Sequence, residues 1–378
     1  MNKLLVVSNY YFPIQIGGAE ISTQILVEEL ARNYEILVVT SNDKEQEITK
    51  DIVNNVRVYR VPINNFYWPA IKKDRNSISK FFWHIREIFG NGVSKEFQRI
   101  VNDFNPEIIL FQNVTGLGTK IFTVKTGAKK IFTMRDYMLI NPTRSRTFNK
   151  FAKSKNIKRT RNLNGVVGIS KYILRNYREN GFFNGIDSEV IGNVVVSKLQ
   201  RKKLEKLSNK KLKVGFFGQV AEIKGIVEFL EGASSLIGNE IDNIVVVGDG
   251  PLRDVLKEKY KQNNAISFIG RKNITAVYSI MSKLDLVVVP SKWEEPFGRV
   301  VIEAYSQGAI VISSNMGGLS EILLDKNLLL NDITSEEISN KIKYVYVNNY
   351  DLKKYVDYSR EFKKNNYRYQ ELIGKQLS

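Results

Sequence analysis

An α/β fold with two doubly wound parallel sheets is predicted from three features of the sequence. Apolar runs alternate with stretches of helical periodicity along the whole chain, the pattern of strands joined by crossover helices. The 378 residues suggest two domains, and a hydrophobic content of 43% suffices for two ordinary cores. Both halves also open alike, with a buried-strand run, a Gly-bearing turn and then a helix. The first reads Val6-Val-Ser-Asn-Tyr-Tyr-Phe-Pro13, then Gly17-Gly18-Ala-Glu20 and a helix through Leu30. The second reads Gly215-Phe-Phe-Gly218, then Lys224-Gly225 and a helix through Leu230. A glycine pair alone often does no more than permit a tight turn. Two such loops, one per half, fit a ligand held at the carboxyl ends of the strands.

Strands are expected at residues 3–8, 36–40, 56–61, 108–112, 130–133 and 166–169 in the first half. In the second half they are expected at 213–217, 243–247, 265–269, 285–289 and 309–313. The basic, low-aromatic stretch 197–211 reads as a linker or surface helix. Residues 350–378 alternate aromatic and charged positions at helical spacing. The predicted organisation is a Rossmann-like domain over 1–192, a second over 193–355, and a C-terminal helix over 356–378.

The richest segment is Pro290-Ser-Lys-Trp-Glu-Glu-Pro-Phe-Gly-Arg-Val-Val-Ile-Glu-Ala304, with Gly317-Gly318 downstream. Strand 285–289 ends at Pro290, a loop carries Glu295, and the turn Pro296-Phe297-Gly298 opens a helix that holds Glu303. The N–H groups at such a helix start bind phosphate, aided by the helix dipole. Eight residues of helix reach roughly 12 Å. A Glu on a solvated helix face is the ordinary alternative for either carboxylate taken singly.

Composition narrows the chemistry. No run approaches the ~20 apolar residues of a membrane span, and the start Met1-Asn-Lys-Leu-Leu-Val-Val-Ser8 reads as a strand rather than a signal peptide. Without cysteine there is no disulfide, thiolate ligand or Cys nucleophile. The single histidine, His84, lies in an aromatic stretch and reads as a packing or surface residue, since one His cannot assemble a typical zinc site. The expected localisation is cytoplasmic. A net charge of +18 is concentrated in 144–161, with eight Lys/Arg and no acid, and in 198–213, where Glu205 is the acidic exception. Phe148 and Phe151 lie within the first cluster. No nucleic-acid-binding motif accompanies these runs, so nucleic acid is not an expected partner. Adsorption to anionic lipid and a simply solvated Lys-rich face both remain open. The first would put the protein at the inner face of the membrane.

The Glu295, Phe297-Gly298, Glu303 string resembles the retaining glycosyltransferases of family 4, which have the two-domain GT-B fold. The likeness extends over nearly the whole chain. It implies two Rossmann-like domains facing each other across a cleft, with the C-terminal helix crossing back to the first. It also implies a sugar-nucleotide donor, a UDP- or GDP-sugar, as substrate and no cofactor. On this resemblance Glu295 holds donor-sugar hydroxyls, Phe297 and Gly298 offer backbone amides, and Glu303 grips the ribose. Lys224 meets the diphosphate charge, with Arg299 either a further cation or a solvated first-turn residue. Gln219 stands where the family usually has Arg. Gly17 and Gly18 let the backbone approach the donor, while Glu20 is also simply good first-turn chemistry. Gly270 and Arg271 lie where the nucleobase is often met.

The acceptor loop departs further from the family pattern. Thr133-Met-Arg135-Asp136-Tyr137-Met138-Leu-Ile-Asn141-Pro142 matches in Asp136, Tyr137 and Pro142, but Arg135 replaces a His. An Arg stays protonated and cannot be a general base. Asp136 and Arg135 are candidates for positioning the acceptor, with a surface ion pair as the competing reading. Val247-Gly-Asp-Gly-Pro251 and Asn193 read as structural. No Asp-x-Asp occurs, so the metal grip of single-domain transferases is missing and no metal is expected. The implied activity is retaining transfer from a nucleotide-diphosphate-sugar to a hydroxyl of a glycan or lipid-linked acceptor, in bacterial surface polysaccharide synthesis. A sugar-nucleotide hydrolase or epimerase would need a base that this chain does not show near its motifs. A catalytically weak homologue acting as a nucleotide-sugar-binding or scaffold subunit is the remaining alternative, kept open by Gln219 and Arg135.

Overall fold

The computed structural model describes residues 1–43, 47–71, 75–143, 145–195, 198–201, 204 and 210–377. Contacts divide the chain into two compact units, Met1–Val194 with Asn365–Ser378, and Val195–Lys364. The first unit runs β1 (Lys3–Ser8), α1 (Gly18–Leu30), β2 (Glu35–Asn42), β3 (Thr49–Val53), β4 (Val56–Pro62), α2 (Ser77–Phe89) and α3 (Ser94–Phe104). It continues through β5 (Ile108–Asn113), β6 (Lys129–Met134), α4 (Arg146–Arg159), β7 (Gly165–Gly168), α5 (Lys171–Glu179) and β8 (Asp187–Val190). Among the described residues the sheet order is β3-β4-β2-β1-β5-β6-β7-β8, parallel except for the β3–β4 hairpin. Leu4, Leu5, Val6 and Val7 of β1 are all fully buried. A parallel sheet covered on both faces requires such an uninterrupted apolar strand.

The second unit runs β9 (Leu212–Phe217), α6 (Ile226–Ser234), β10 (Ile241–Val247), α7 (Arg253–Lys259), β11 (Ile266–Phe268), α8 (Ile274–Met281), β12 (Leu286–Val289) and α9 (Arg299–Ser306). It ends with β13 (Ile310–Ser314), α10 (Leu319–Ile322), β14 (Leu329–Leu330), α11 (Ser335–Val347) and α12 (Leu352–Glu361). Its sheet is parallel, in the order β11-β10-β9-β12-β13-β14. The strand order reverses beside β1 in the first unit, between β2 and β5. In the second it reverses beside β9, between β10 and β12. Ligands of doubly wound sheets bind where the strands' carboxyl ends meet such a reversal.

The final helix, α13 (Asn365–Leu377), belongs to the first unit. Its Tyr369, Leu372 and Ile373 join the core formed by Leu4, Val6, Leu110 and Ile131. The Tyr369 hydroxyl lies 3.3 Å from Thr133 Oγ1 on β6. The sequence break at 355/356 falls inside α12, whereas the contacts break at 364/365. Tyr355 of α12 is buried against Tyr305 of α9, ring centroids 5.1 Å apart, so α12 stays with the second unit. The aromatic–charged alternation runs through both helices and hides the join.

Three strands lie outside the sequence expectation. β3 is a polar, largely exposed sheet edge, β8 a polar, mostly half-buried one, and β14 is two residues long. The β3–β4 turn is Asn54-Asn55, both at positive φ (47° and 65°), as a tight two-residue hairpin demands. Of the expected linker at 197–211, residues 197, 202–203 and 205–209 lie outside the described residues, as does Arg144 of the first basic cluster. Arg201 is tied to the second unit, its Nη2 2.8 Å from Asp285 Oδ1.

Candidate active site

In the second unit, the loops after β9 and β12 meet beside the reversal of strand order. Lys224 Nζ donates to Glu295 Oε1, which also accepts from Ser291 Oγ at 3.2 Å. The same loops are joined by Lys292 N–H donating to Ile223 O at 3.0 Å, and the Lys292–Glu228 ion pair ties the second loop to α6. Gly225 explains the close approach. At φ 67° a Cβ there would stand 2.0 Å from Pro290 O, so only glycine fits. Residues 71 positions apart in sequence thereby become one ammonium–carboxylate pair. Both side chains keep about a quarter or less of their surface exposed.

Glu295 is held from the other side by the Gly317-Gly318 turn, where Gly318 N–H donates to Glu295 O at 2.7 Å. Cβ atoms at Gly317 and Gly318 would collide with the backbone of Glu295 and Pro296. Phe297 is buried against Phe362, ring centroids 5.9 Å apart. Gly298, at φ 94°, caps the start of α9, and its carbonyl accepts from Val301 N–H at 3.0 Å. Glu303 is on this helix, and its Oε1 accepts from Arg299 Nε at 3.0 Å and Nη2 at 2.8 Å. Both side chains are only 8% exposed. Arg299 therefore engages the buried Glu303 rather than standing as a solvated first-turn cation.

Gln219 is exposed in the β9 loop. The Gly248-Asp249-Gly250 turn packs beneath that loop: Val220 N–H donates to Asp249 O at 3.0 Å, and a Cβ on Gly248 would stand 1.7 Å from Gly218 O. Its glycines serve a backbone-on-backbone contact. Gly270 accepts from Gly248 N–H at 3.1 Å and has φ 77°, while Arg271 beside it is exposed. Among the described residues no group of three or more His, Cys, Asp and Glu stands together as metal ligands.

In the first unit, Gly17 N–H donates to the buried Glu20 carboxylate at 2.7 Å, fixing the start of α1 at Gly18. Asp136 follows β6. Its Oδ1 accepts from Met138 N–H at 2.9 Å and its Oδ2 from Asn113 Nδ2 at 3.0 Å. Tyr177 donates to the Asp136 carbonyl at 2.9 Å. Burial, with smaller contributions from Glu87 and Glu20, pushes the Asp136 carboxyl up to about 6 despite these bonds. Arg135 is buried, and its guanidinium donates to Gln112 Oε1 at 3.1 and 2.7 Å and to Asn193 Oδ1. It thus ties the acceptor loop to β5 and to the end of the unit, and among the ion pairs of the described residues there is none between Arg135 and Asp136.

Glu87 was not singled out by sequence reasoning. It is buried on α2, accepts from Gly116 N–H after β5, and its Oε2 stands 3.4 Å from His84 Nδ1. The i,i+3 spacing of His84 and Glu87 was the available signal. His84 also packs edge-on against Trp83, ring centroids 5.1 Å apart.

Two doubly wound sheets, each with a Gly-bearing loop at its reversal point, are the architecture of the GT-B fold. The chain belongs to the glycosyl transferases group 1 family, whose profile matches residues 197–367. It is 30% identical over 347 residues to an uncharacterized 42.6 kDa protein in the cps region of Klebsiella pneumoniae, covering 88% of this chain and 90% of that one. It is 26% identical to an uncharacterized glycosyltransferase of Methanocaldococcus jannaschii, covering 96% and 93%. The crystal structure of Anabaena Alr3699/HepE in complex with UDP has the same fold, with a TM-score of 0.68, 17% identity and coverage of 99% and 100%.

Proposed function

We propose that this glycosyltransferase is retaining and metal-independent. It would move a sugar from a nucleotide-diphosphate-sugar to a hydroxyl of a glycan or lipid-linked acceptor in bacterial surface polysaccharide synthesis. The observation that carries the reading is the Lys224–Glu295 pair at the second unit's reversal of strand order. In this reaction the acceptor oxygen forms a bond to the anomeric carbon as the bond from that carbon to the diphosphate breaks. Negative charge grows on the leaving phosphate, and a cation already in place stabilises it without reorganisation. Lys224 supplies that cation, and Glu295 orients it and accepts donor-sugar hydroxyls. The Phe297–Gly298 turn and the start of α9 offer N–H groups to the phosphate, and Glu303 receives the ribose.

On the acceptor side, Asp136 takes a hydrogen bond from the incoming hydroxyl. Front-face attack passes that hydroxyl's proton to the leaving phosphate, so no histidine is required. Arg135 acts as a positioning residue through Gln112 and Asn193. Gly17 and Gly18 admit the donor to the first unit's loop, and Gly270 and Arg271 meet the nucleobase. A neutral Gln219 leaves the diphosphate dependent on Lys224. The 30% identical relative lies in a cps region, which supports the polysaccharide role, and HepE's bound UDP supports UDP among candidate nucleotides. The site of work is the cytoplasm, at the inner face of the membrane.

Glu303→Ala should chiefly weaken nucleotide binding, and Glu295→Ala should chiefly lower turnover. Both are measured by calorimetry with UDP- and GDP-sugars and by donor hydrolysis, and the anomeric configuration of any product is read by NMR. Unchanged binding and turnover in both variants would refute the site, and an inverted product would refute retention.

A further inference from the structure

In the first unit a cleft of about 450 Å³ opens between the loop that enters β6 and the turn that precedes β7. Lys125, Lys129 and Lys130 line it together with Thr126, Asn162 and Asn164, and its lining holds no acidic residue. It sits at the amino end of β6, whereas Arg135 and Asp136 follow the carboxyl end. The cleft is therefore separate from the acceptor loop. Lys130 is its buried member, 8% exposed. Its main chain is fixed by Asn164, whose Oδ1 accepts from Lys130 N–H at 2.8 Å and whose N–H donates to Lys130 O at 2.8 Å. Lys130 Nζ donates to Phe122 O and Val124 O, each at 3.2 Å. These carbonyls end the short 3-10 helix Thr119–Thr123, so a capping lysine is the ordinary reading. An ammonium, however, has three N–H bonds and a full charge. Two neutral carbonyls leave one N–H and that charge unmatched, and among the described residues no carboxylate offsets it. Burial accordingly lowers the Lys130 pKa from the ordinary lysine value. Buried charges are normally paired, and the open side of this one is the cleft.

We propose that the cleft binds a phosphate monoester of a small hydroxylated molecule, of hexose phosphate size, with Lys130 as its fixed cation. A dianion matches three ammonium groups that have no acid among them. The Asn162 and Asn164 amides and the Thr126 hydroxyl offer hydrogen bonds to hydroxyls of the ligand, and the volume is that of a small-molecule pocket. The inference concerns binding and does not depend on the donor site in the second unit.

Calorimetric titration with glucose 1-phosphate, inorganic phosphate and glucose tests it. The wild type is compared with Lys224→Ala, so that phosphate held at Lys224 is not mistaken for this site. Glucose 1-phosphate should bind both proteins alike and more tightly than inorganic phosphate, and glucose should not bind. Lys130→Met should lower the glucose 1-phosphate affinity about tenfold or more. Lys125→Gln/Lys129→Gln should lower it about threefold. Lys125 and Lys129 are exposed, so the double variant should keep the wild-type melting temperature and decides the matter if Lys130→Met does not fold. Wild-type affinity in Lys130→Met, or in the double variant where Lys130→Met is unfolded, would overturn the proposal. So would binding that Lys224→Ala abolishes, glucose binding as tightly as its phosphate, or no binding by the wild type.

Discussion

Replacing Asp136 by Asn should stabilise the first unit above pH 7 and leave it nearly unchanged at pH 4. The carboxyl sits chiefly in a desolvated site that raises its pKa from 3.8 to about 6. As pH rises, the unfolded chain gives up this proton first and the native state holds it longer. Stability is therefore complete below about pH 4 and is lost as pH climbs through about 6. Each tenfold change in proton affinity is worth about 1.4 kcal/mol, so the ionised carboxylate costs the native state about 3 kcal/mol at neutral pH. Asn is neutral but keeps one acceptor oxygen where Asp136 uses two, for Met138 N–H and Asn113 Nδ2. Losing one such bond costs about 1 kcal/mol, leaving a net gain of about 2 kcal/mol at pH 8. Urea unfolding in a Trp293→Phe background reads this directly, because the remaining tryptophans, Trp68 and Trp83, both lie in the first unit. A variant less stable than the parent at pH 8, or a difference that does not change between pH 4 and 8, would refute the assigned burial of this carboxyl.

Other substitutions test the packing described above. Arg299→Leu strands Glu303 in a buried position and should cost about 3–5 kcal/mol. Adding Glu303→Leu should recover most of that loss, measured by urea unfolding of the second unit through Trp293 fluorescence. Truncation after residue 364 removes Tyr369, Leu372 and Ile373 from the first unit's core. At about 1.5–3 kcal/mol each their loss approaches the whole stability of a typical domain, so the first unit's cooperative thermal transition should disappear.

The sequence was most legible where function and backbone geometry reside in one short string. Pro290 to Glu303 could be read as strand end, loop and helix start because Pro, Gly and the apolar run each have a local meaning. The pairing of Lys224 with Glu295 is set by the neighbouring strands β9 and β12, which no local pattern announces. Arg135 shows the same limit. Its replacement of His was visible, but its bonds to Gln112 and Asn193 arise from β5 and the end of the unit. Gly248 and Gly250 announce a turn in the sequence, while their contact with the backbone of Gly218 and Val220 emerges only in the folded unit. β3 escaped because it is an exposed polar edge, although the Asn54-Asn55 turn was a usable sign of it.

The measurement that most directly tests the central claim is a melting-temperature series with UDP-, GDP-, dTDP- and ADP-sugars in chelator, on wild type and Lys224→Ala. A donor at about 100 times its Kd adds about 2.7 kcal/mol of stability, which in a domain of this size raises Tm by about 5–10 °C. The account predicts such a rise with one nucleotide series in the wild type and its loss in Lys224→Ala. A rise that persists undiminished in Lys224→Ala, or no rise with any nucleotide-sugar, would contradict a donor diphosphate held by Lys224 without metal.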